Sequence, residues 1–307
     1  MNYLTKPSAV VGRFAPSPTG PLHFGTLLAA LGSYLMARTS GGRWLLRIED
    51  LDRPRVVAGA ADAMLRLLDE IGFEWDGVVL YQSQRLGRYQ AVLEQLRQQG
   101  ELFSCSCSRS EILASAPHPD EEEGPIYPGT CRNGPRGNRP ARAVRLRVRD
   151  ESITFTDMVF GEQQQNLERQ VGDFVLHRAD GVFAYQLAVV VDDIDSGVNQ
   201  IVRGADLLFS TPRQIYLYRC LAAAPPDYLH LPLALGADNR KLSKRDGSSA
   251  LVGIDNASAM LWRAFDFLGQ SPPQELFGVS PVELLSWGLG NFQVHRIPVE
   301  NCQVSFS

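Results

Sequence analysis

Short apolar runs alternate with longer stretches of helical spacing through the first hundred residues. "SAVVGRFA" (residues 8–15) ends at a proline-rich loop and predicts a buried strand. "GTLLAALGSYLMAR" (25–38) places helix formers at helical spacing. "GRWLLRIED" (42–50) reads as a second strand ending in charge. Residues 58–71 and 86–98 repeat the helical period, with Gly72 and Gly100 placed as C-terminal stops. This strand–helix–strand–helix order predicts an α/β fold with a doubly wound, Rossmann-like parallel sheet.

The pattern breaks at residue 105. Residues 105–140 are rich in Ser, Pro, Gly and Arg and read as an irregular insertion. "ARAVRLRVRD" (141–150) and "SITFTDMVFG" (152–161) alternate as antiparallel strands do, which makes the insertion α+β. "FVLH" (174–177) and "FAYQLAVVVDD" (183–193) read as sheet-like, 207–220 as a helix, and "YLHLPLAL" (228–235) as a buried strand running into the polar loop "GADNRKLSKRDGSS". Two helices are expected near the end, at 257–268 and 281–289. The organisation predicted is a first half of a nucleotide-binding fold (1–104), an insertion (105–182), the second half of the fold (183–250) and a short helical region (251–307).

Composition narrows the class. The chain has 307 residues, 44% hydrophobic and 21% charged, as a globular protein does. No run approaches the roughly 18 uninterrupted apolar residues of a membrane span, and the first residues lack a basic start followed by an apolar core. A cytoplasmic monomer is expected. The net charge of −4 does not advertise nucleic-acid binding. Locally, seven arginines and no acid lie between residues 131 and 149, just after an acidic run at 120–123. The odd count of five cysteines argues against a disulfide framework. Cys220 and Cys302 stand alone and read as inert buried thiols.

The chemistry starts in "RFAPSPTGPLHFGT" (13–26). A strand that ends in a tight loop and feeds a helix presents free N–H groups and a dipole to an anion. Prolines reduce the entropy lost when that loop grips a ligand. His23, just before the helix, is a candidate phosphate contact, with a structural turn and a surface histidine as the alternative. Far downstream, "KLSKR" (241–245) puts Lys241, Lys244 and Arg245 in one loop after a buried strand, which suits a polyanion. No G-x-x-x-x-G-K-[ST] or G-x-G-x-x-G competes.

Together these two segments resemble the signature motifs of class I aminoacyl-tRNA synthetases, in the wording of the glutamyl branch. The resemblance continues through "RIEDLD" (47–52), "YQSQR" (81–85), "FAYQLAVVVDD", "IVRGADLLFSTPRQ" (201–214) and "HLPLAL" (230–235), in the expected order. It implies a class I catalytic domain that uses ATP and Mg²⁺ to convert L-glutamate into glutamyl-adenylate. It implies that His23 contacts the ATP phosphates together with Gly25 and Lys241, and that Lys244 stabilises the transition state. It also implies a glutamate pocket. Arg13 and Arg203 share the two carboxylates, Tyr185 donates its hydroxyl, and Glu49 pairs with the ammonium beside loop residues Phe14, Ala15, Pro16 and Ser17. Val189 departs from the family's asparagine in "YxLAN".

"CSC" (105–107) and "YPGTC" (127–131) bring three thiols near one another in sequence, one short of a tetrahedral zinc set. Chemistry alone leaves His118 and Tyr127 as equal candidates for the fourth ligand, with three metal-free thiols as the alternative. The resemblance selects Tyr127, giving Cys105, Cys107, Tyr127 and Cys131 around one structural Zn²⁺.

Residues 246–307 are too few for the helical anticodon-binding region of full-length glutamyl enzymes. This layout resembles the truncated paralogues that transfer activated glutamate to queuosine at the first anticodon position of tRNA(Asp). The arginines from Arg132 to Arg149 are then candidates for contact with the RNA backbone, or else the solvated face of a strand. The alternatives are a truncated enzyme charging a tRNA 3′ end, a nucleotidyltransferase of the same superfamily acting on a small molecule, and a non-catalytic zinc-stabilised RNA-binding module.

Overall fold

A computed structural model of the chain describes residues 9–115, 125–135, 139–236, 239–240, 242 and 256–304. Strand β1 (Val11–Phe14) is followed by helix α1 (Phe24–Thr39), β2 (Arg43–Ile48), α2 (Ala60–Ile71), β3 (Leu80–Tyr81) and α3 (Leu86–Gln98). Strands β1, β2 and β3 form a parallel sheet in the order β1-β2-β3. Gly72 ends α2 in the left-handed conformation (φ 98°), as its position in sequence suggested.

The insertion follows with β4 (Leu102–Cys105), α4 (Arg109–Ser115), β5 (Ala143–Leu146), β6 (Ser152–Asp157), β7 (Gly161–Asn166), α5 (Leu167–Gln170) and β8 (Phe174–His177). The chain then adds α6 (Tyr185–Asp195), β9 (Gln200–Gly204), α7 (Thr211–Cys220), β10 (Asp227–Leu231) and β11 (Ala234–Leu235). It finishes with α8 (Ala257–Phe267), α9 (Pro281–Asn291) and β12 (Cys302–Gln303).

A second sheet runs β7-β6-β10-β9, with β6, β10 and β9 parallel and β7 an antiparallel edge. It abuts the first along β1 and β9. Asn199 N donates to Val11 O (3.1 Å) and Val11 N donates to Asn199 Oδ1 (2.8 Å). The strand sequence across both sheets is therefore β3-β2-β1-β9-β10-β6-β7, with connectivity reversing direction at β1/β9. In open α/β sheets a ligand crevice forms at such a reversal.

Period-2 alternation assigns neighbouring strand residues to opposite faces. Leu46 and Val202 belong to a core built on α1, α8 and α9. Leu45 and Ile201 pack into a second core with α3, α6 and α7. Three layers result. The insertion has its own antiparallel sheet, β4-β5-β8, and a small third cluster of Phe103, Cys105, Ile112, Tyr127 and Cys131.

Several expectations change. "FAYQLAVVVDD" is helix α6, not sheet; Leu187 through Asp193 are all buried, so no polar face marks the helical period. The strands within 141–150 and 152–161 do not pair with each other. Strand β5 lies between β4 and β8, whereas β6 joins the second sheet beside β10. "GEQQQN" forms β7 without one apolar residue, held by its ladder to β6. The insertion is not wholly irregular, since α4 lies within it. Cys220 and Cys302 are half-buried rather than buried. Among the described residues no helix is long and apolar enough to cross a membrane.

Candidate active site

The loop after β1 lines a cavity of about 580 Å³ at the β1/β9 boundary. Arg13, Phe14, Ala15, Pro16, Ser17, His23, Gly25, Glu49, Tyr185 and Arg203 all border it. Residues from four separate stretches of sequence thus meet in one place. His23 is the N-cap of α1, its backbone extended, with its ring Nε2 3.0 Å from Thr26 Oγ1. Leu242, inside "KLSKR", also borders the cavity, and its N–H donates to Ala234 O (2.9 Å). Lys241, Lys244 and Arg245 lie outside the described residues.

Two buried arginines flank the cavity. Arg13 is lightly held, with Nε 3.4 Å from Asp193 Oδ1 and Nη1 3.4 Å from Val202 O. Arg203 is pinned by short bonds. Its Nε donates to His230 Nε2 (3.1 Å), Nη1 to Gln214 Oε1 (2.8 Å) and Nη2 to Thr211 Oγ1 (2.8 Å). Looser contacts of 3.4 Å join Nη1 to Tyr185 Oη and Nη2 to Leu207 O.

Beneath them, Arg47 Nη1 donates to Asp193 Oδ1 (2.6 Å), and Arg47 Nη2 reaches Glu49 Oε1 (3.4 Å). Asp192 accepts from Gln82 Nε2 (2.9 Å), Tyr89 Oη (2.8 Å) and Arg85 Nε (2.6 Å). Burial pushes the Glu49 carboxyl upward, and the Arg47 and Arg13 charges oppose that shift without cancelling it. Burial lowers and the facing carboxylates of Asp193, Glu49 and Asp192 raise the affinity of Arg47 for its proton; the carboxylates prevail.

Sequence reasoning singled out neither Arg47, Asp192, Asp193, Thr211, Gln214, His230 nor Asp157. Two signals were present: adjacent acids closing the apolar run "VVVDD", and a histidine inside the apolar "YLHLPLAL". Each is a polar group that burial obliges to find a partner. Val189 is fully buried in the second core, where an apolar side chain fits.

The cysteine cluster lies in the insertion. Cys107 and Cys131 Sγ are 3.6 Å apart, and Tyr127 Oη is 3.4 Å from Cys105 Sγ and 4.0 Å from Cys107 Sγ. A tetrahedral zinc with bonds of about 2.3 Å to sulfur and about 2.0 Å to oxygen has edges of roughly 3.8 and 3.5 Å. The three edges above lie within about 0.5 Å of those values, and the three sulfurs all lie within 4.8 Å of one another. Burial pushes the Cys107 thiol up to about 11. Burial also raises Cys131, but hydrogen bonds from the Ser106 backbone and hydroxyl and from Tyr127 outweigh it and bring the thiol down to about 6. Tyr127 is fixed on both sides. The Arg145 guanidinium stacks on its ring at 3.9 Å, and Gly172 (φ 74°) approaches so closely that a Cβ would lie 2.4 Å from Tyr127 O. His118 lies outside the described residues.

The arginine run is divided: Arg132, Arg145 and Arg147 turn toward the insertion, whereas Arg139, Arg142 and Arg149 are exposed. Arg132 makes a bidentate pair with Asp173 (2.7 and 2.8 Å) and a bond to Glu168 (2.8 Å). A bulge between Val144 and Arg145 turns Arg145 inward, where it is 9% exposed. Arg147 donates to Arg132 O, Arg139 pairs with Glu111 and Arg149 with Glu101. Arg132, Arg145 and Arg147 brace the insertion, and the pairs of Arg139 and Arg149 lie on its surface. Arg136 lies outside the described residues.

Cavity, sheet reversal and flanking layers together define a class of protein: residues 9–277 match the family described as tRNA synthetases class I (E and Q), catalytic domain. The "Glutamyl-Q tRNA(Asp) synthetase" of Dechloromonas aromatica is 55% identical over 287 residues, covering 94% of this chain and 95% of that protein. The protein of the same name from Geobacter sulfurreducens is 53% identical over 295 residues, 94% of each. The chain belongs to the glutamyl-Q tRNA(Asp) synthetase family. It is also similar to the crystal structure of a glutamate tRNA ligase from Elizabethkingia meningosepticum in complex with its amino acid. That match has a TM-score of 0.77 at 25% identity and covers 97% of this chain and 67% of that one.

Proposed function

We propose that the chain activates L-glutamate with ATP and transfers it to queuosine at the first anticodon position of tRNA(Asp). The observation that carries this is the cavity itself. It joins two buried guanidinium groups, a carboxylate with its pKa raised and a helix N-terminus. Free glutamate brings two carboxylates and one ammonium to the first three groups, and ATP brings phosphates to the fourth.

In this reading Arg13 and Arg203 hold the carboxylates. Tyr185 donates its hydroxyl, and Glu49 receives the ammonium beside Phe14, Ala15, Pro16 and Ser17. His23 and the Gly25 backbone face the phosphates, with Lys241. The α-carboxylate oxygen attacks the α-phosphorus; the bond to the pyrophosphate oxygen breaks as the mixed anhydride forms. Catalysis rests on positioning and on charge placed where charge develops. Lys244 supplies one such charge and Mg²⁺ accompanies the polyphosphate. A queuosine hydroxyl then attacks the activated carbonyl, and AMP leaves.

Cys105, Cys107, Tyr127 and Cys131 would hold one zinc ion, which would fix the insertion spanning residues 105–182 between the two halves of the catalytic fold. Four protein donors close such a site and give it a structural character. A cytoplasmic location follows from the tRNA substrate.

Two measurements test the reading. Glutamate-dependent ATP–pyrophosphate exchange is expected without any tRNA; its absence, with a working control enzyme, rejects the activation step. Labelled glutamate is expected on tRNA(Asp) carrying queuosine and not on the same tRNA carrying guanosine. Label on both would mean charging of the 3′ ribose.

A further inference from the structure

Arg203, His230 and Asp157 stand in a row on three adjacent parallel strands. Arg203 on β9 is directly in register with His230 on β10, and β10 borders β6, which ends at Asp157. The side chains continue the row. His230 Nδ1 is 2.7 Å from Asp157 Oδ2, and His230 Nε2 is 3.1 Å from Arg203 Nε. His230 and Asp157 are 0% and 1% exposed and do not border the cavity; Arg203 does.

The bonding admits one arrangement of protons. A guanidinium Nε–H can only donate, so His230 Nε2 must accept. The imidazole is then neutral, and its proton sits on Nδ1 and is donated to Asp157. Asp157 is held in turn by N–H groups of its own loop, from Val159 and Phe160 (3.0 Å each), and by the His230 backbone N–H (3.1 Å). A carboxylate with this many donors is fixed in place and stays ionised.

The consequence falls on Arg203. His230 takes its Nε–H, Gln214 takes one N–H of Nη1 and Thr211 takes one of Nη2. Each terminal nitrogen keeps one N–H, and these make only the 3.4 Å contacts at the cavity edge. Two N–H groups on neighbouring nitrogens are the fork that a carboxylate accepts bidentately. Without the acceptor at Nε, only the Gln214 and Thr211 bonds orient the guanidinium, and its plane is less tightly fixed. The fork would then have to be ordered further at each binding event.

We propose that Asp157 and His230 are positioning residues for glutamate binding: the carboxylate fixes the imidazole tautomer, and the imidazole aims the guanidinium fork of Arg203 at a substrate carboxylate. The proposal rests on the glutamate-activating reading of the cavity. It adds two residues that touch neither substrate nor any group that does, except through Arg203.

The test is pyrophosphate exchange by full-length enzyme with His230→Gln, His230→Asn and Asp157→Asn, each checked by a melting curve. The Gln side chain can place a carbonyl oxygen near the Nε2 position and accept from Arg203; Asn stops short of it. His230→Asn is expected to raise the glutamate KM by about tenfold or more. The ATP KM and saturating kcat should stay within about threefold, and His230→Gln should recover most of the glutamate KM. Asp157→Asn should move the glutamate KM in the same direction as His230→Asn. Equal glutamate KM values in the Gln and Asn variants would overturn the proposal, as would equal losses in the ATP and glutamate constants. Wild-type enzyme without exchange would reject the activation reading instead, and isothermal titration of L-glutamate into the same four proteins then decides the positioning role by itself.

Discussion

Arg47 Nη1 lies 2.6 Å from Asp193 Oδ1, and the two side chains are 3% and 1% exposed. The same guanidinium faces Asp192 (3.9 Å) and Glu49 (3.4 Å), so one cation answers three carboxylates. Removing Arg47 would leave Asp193 only the 3.4 Å contact to Arg13 and would take from Glu49 its nearest cation, while Asp192 would keep Arg85. Arg47→Met is expected to destabilise the fold by about 3–5 kcal/mol, because unpaired buried charge costs more than a pair returns. Urea denaturation measures this. Adding Asp193→Asn should recover part of the loss, so the double variant should be more stable than the sum of the singles implies. A strictly additive pair would show that the two residues do not share the charge balance.

The zinc reading has a clean separation built into it, because none of Cys105, Cys107, Tyr127 and Cys131 borders the cavity. Purified protein is expected to carry about one zinc per chain by elemental analysis. Cys131→Ser should release the metal and lower the melting temperature, since metal binding and folding of such a segment are coupled. TRNA-independent exchange should stay within about threefold, as a structural rather than catalytic metal implies. Loss of exchange in a folded Cys131→Ser protein would place the cluster in the activation step.

Much of this site was legible in one dimension. The loop from Arg13 to Thr26, Glu49, Tyr185 and Arg203 carry chemistry that a glutamate ligand needs, and each stands beside a sharp local signal such as a proline cluster or a charged strand end. The groups that hold them were not legible. Asp193 meets Arg13 and Arg47 across 180 and 146 positions, and His230 meets Asp157 across 73. Nothing local specifies such pairs; the sheet order does. Helix α6 was misread for a related reason: burial on every side erases the polar face that announces a helix. The arginine run was legible only in part. Arg139, Arg142 and Arg149 are exposed, as their spacing suggested, whereas carboxylates far along the chain, Asp173 and Glu168, draw Arg132 inward.

Stability should fall with acidity in a window set by His230. Burial, the nearby positive charges of Arg203 and Arg13, and an opposing bond to Asp157 leave its pKa at about 4, well below the ordinary 6.5. The groups facing the ring are Asp157 from β6, Arg203 from β9, Thr211 from α7 and the stacked Tyr228 ring on its own strand. Between these two pKa values the unfolded chain takes up a proton that the native one refuses. The stabilisation is therefore complete above about pH 6.5 and is lost as pH falls toward 4. Asp157, held below its usual range, adds a loss at still lower pH. Urea unfolding at pH 7 and pH 5 should differ by about 2 kcal/mol from this histidine. His230→Gln should remove that difference, and an unchanged pH slope in the variant would assign the titration elsewhere.

Glu49 separates function from stability. In the proposed reading it is the carboxylate offered to the substrate ammonium, and without that ammonium its nearest cation, Arg47, is 3.4 Å away and shared with two aspartates. Burial therefore raises its pKa in the free enzyme. A carboxyl group with a raised native pKa binds more protons folded than unfolded, so it lowers stability as pH rises above about 4.3. Glu49→Gln removes the charge and keeps the shape. It is expected to raise the melting temperature at pH 7 by a few degrees, the reverse of most substitutions at buried sites. The same change deprives the ammonium of its partner, so the glutamate KM should rise by about one to two orders of magnitude, with the ATP KM little changed. Differential scanning fluorimetry and exchange kinetics on one preparation give both values. A variant that is less stable than wild type, or one that keeps its affinity for glutamate, would show that Glu49 is satisfied within the protein and does not wait for a ligand.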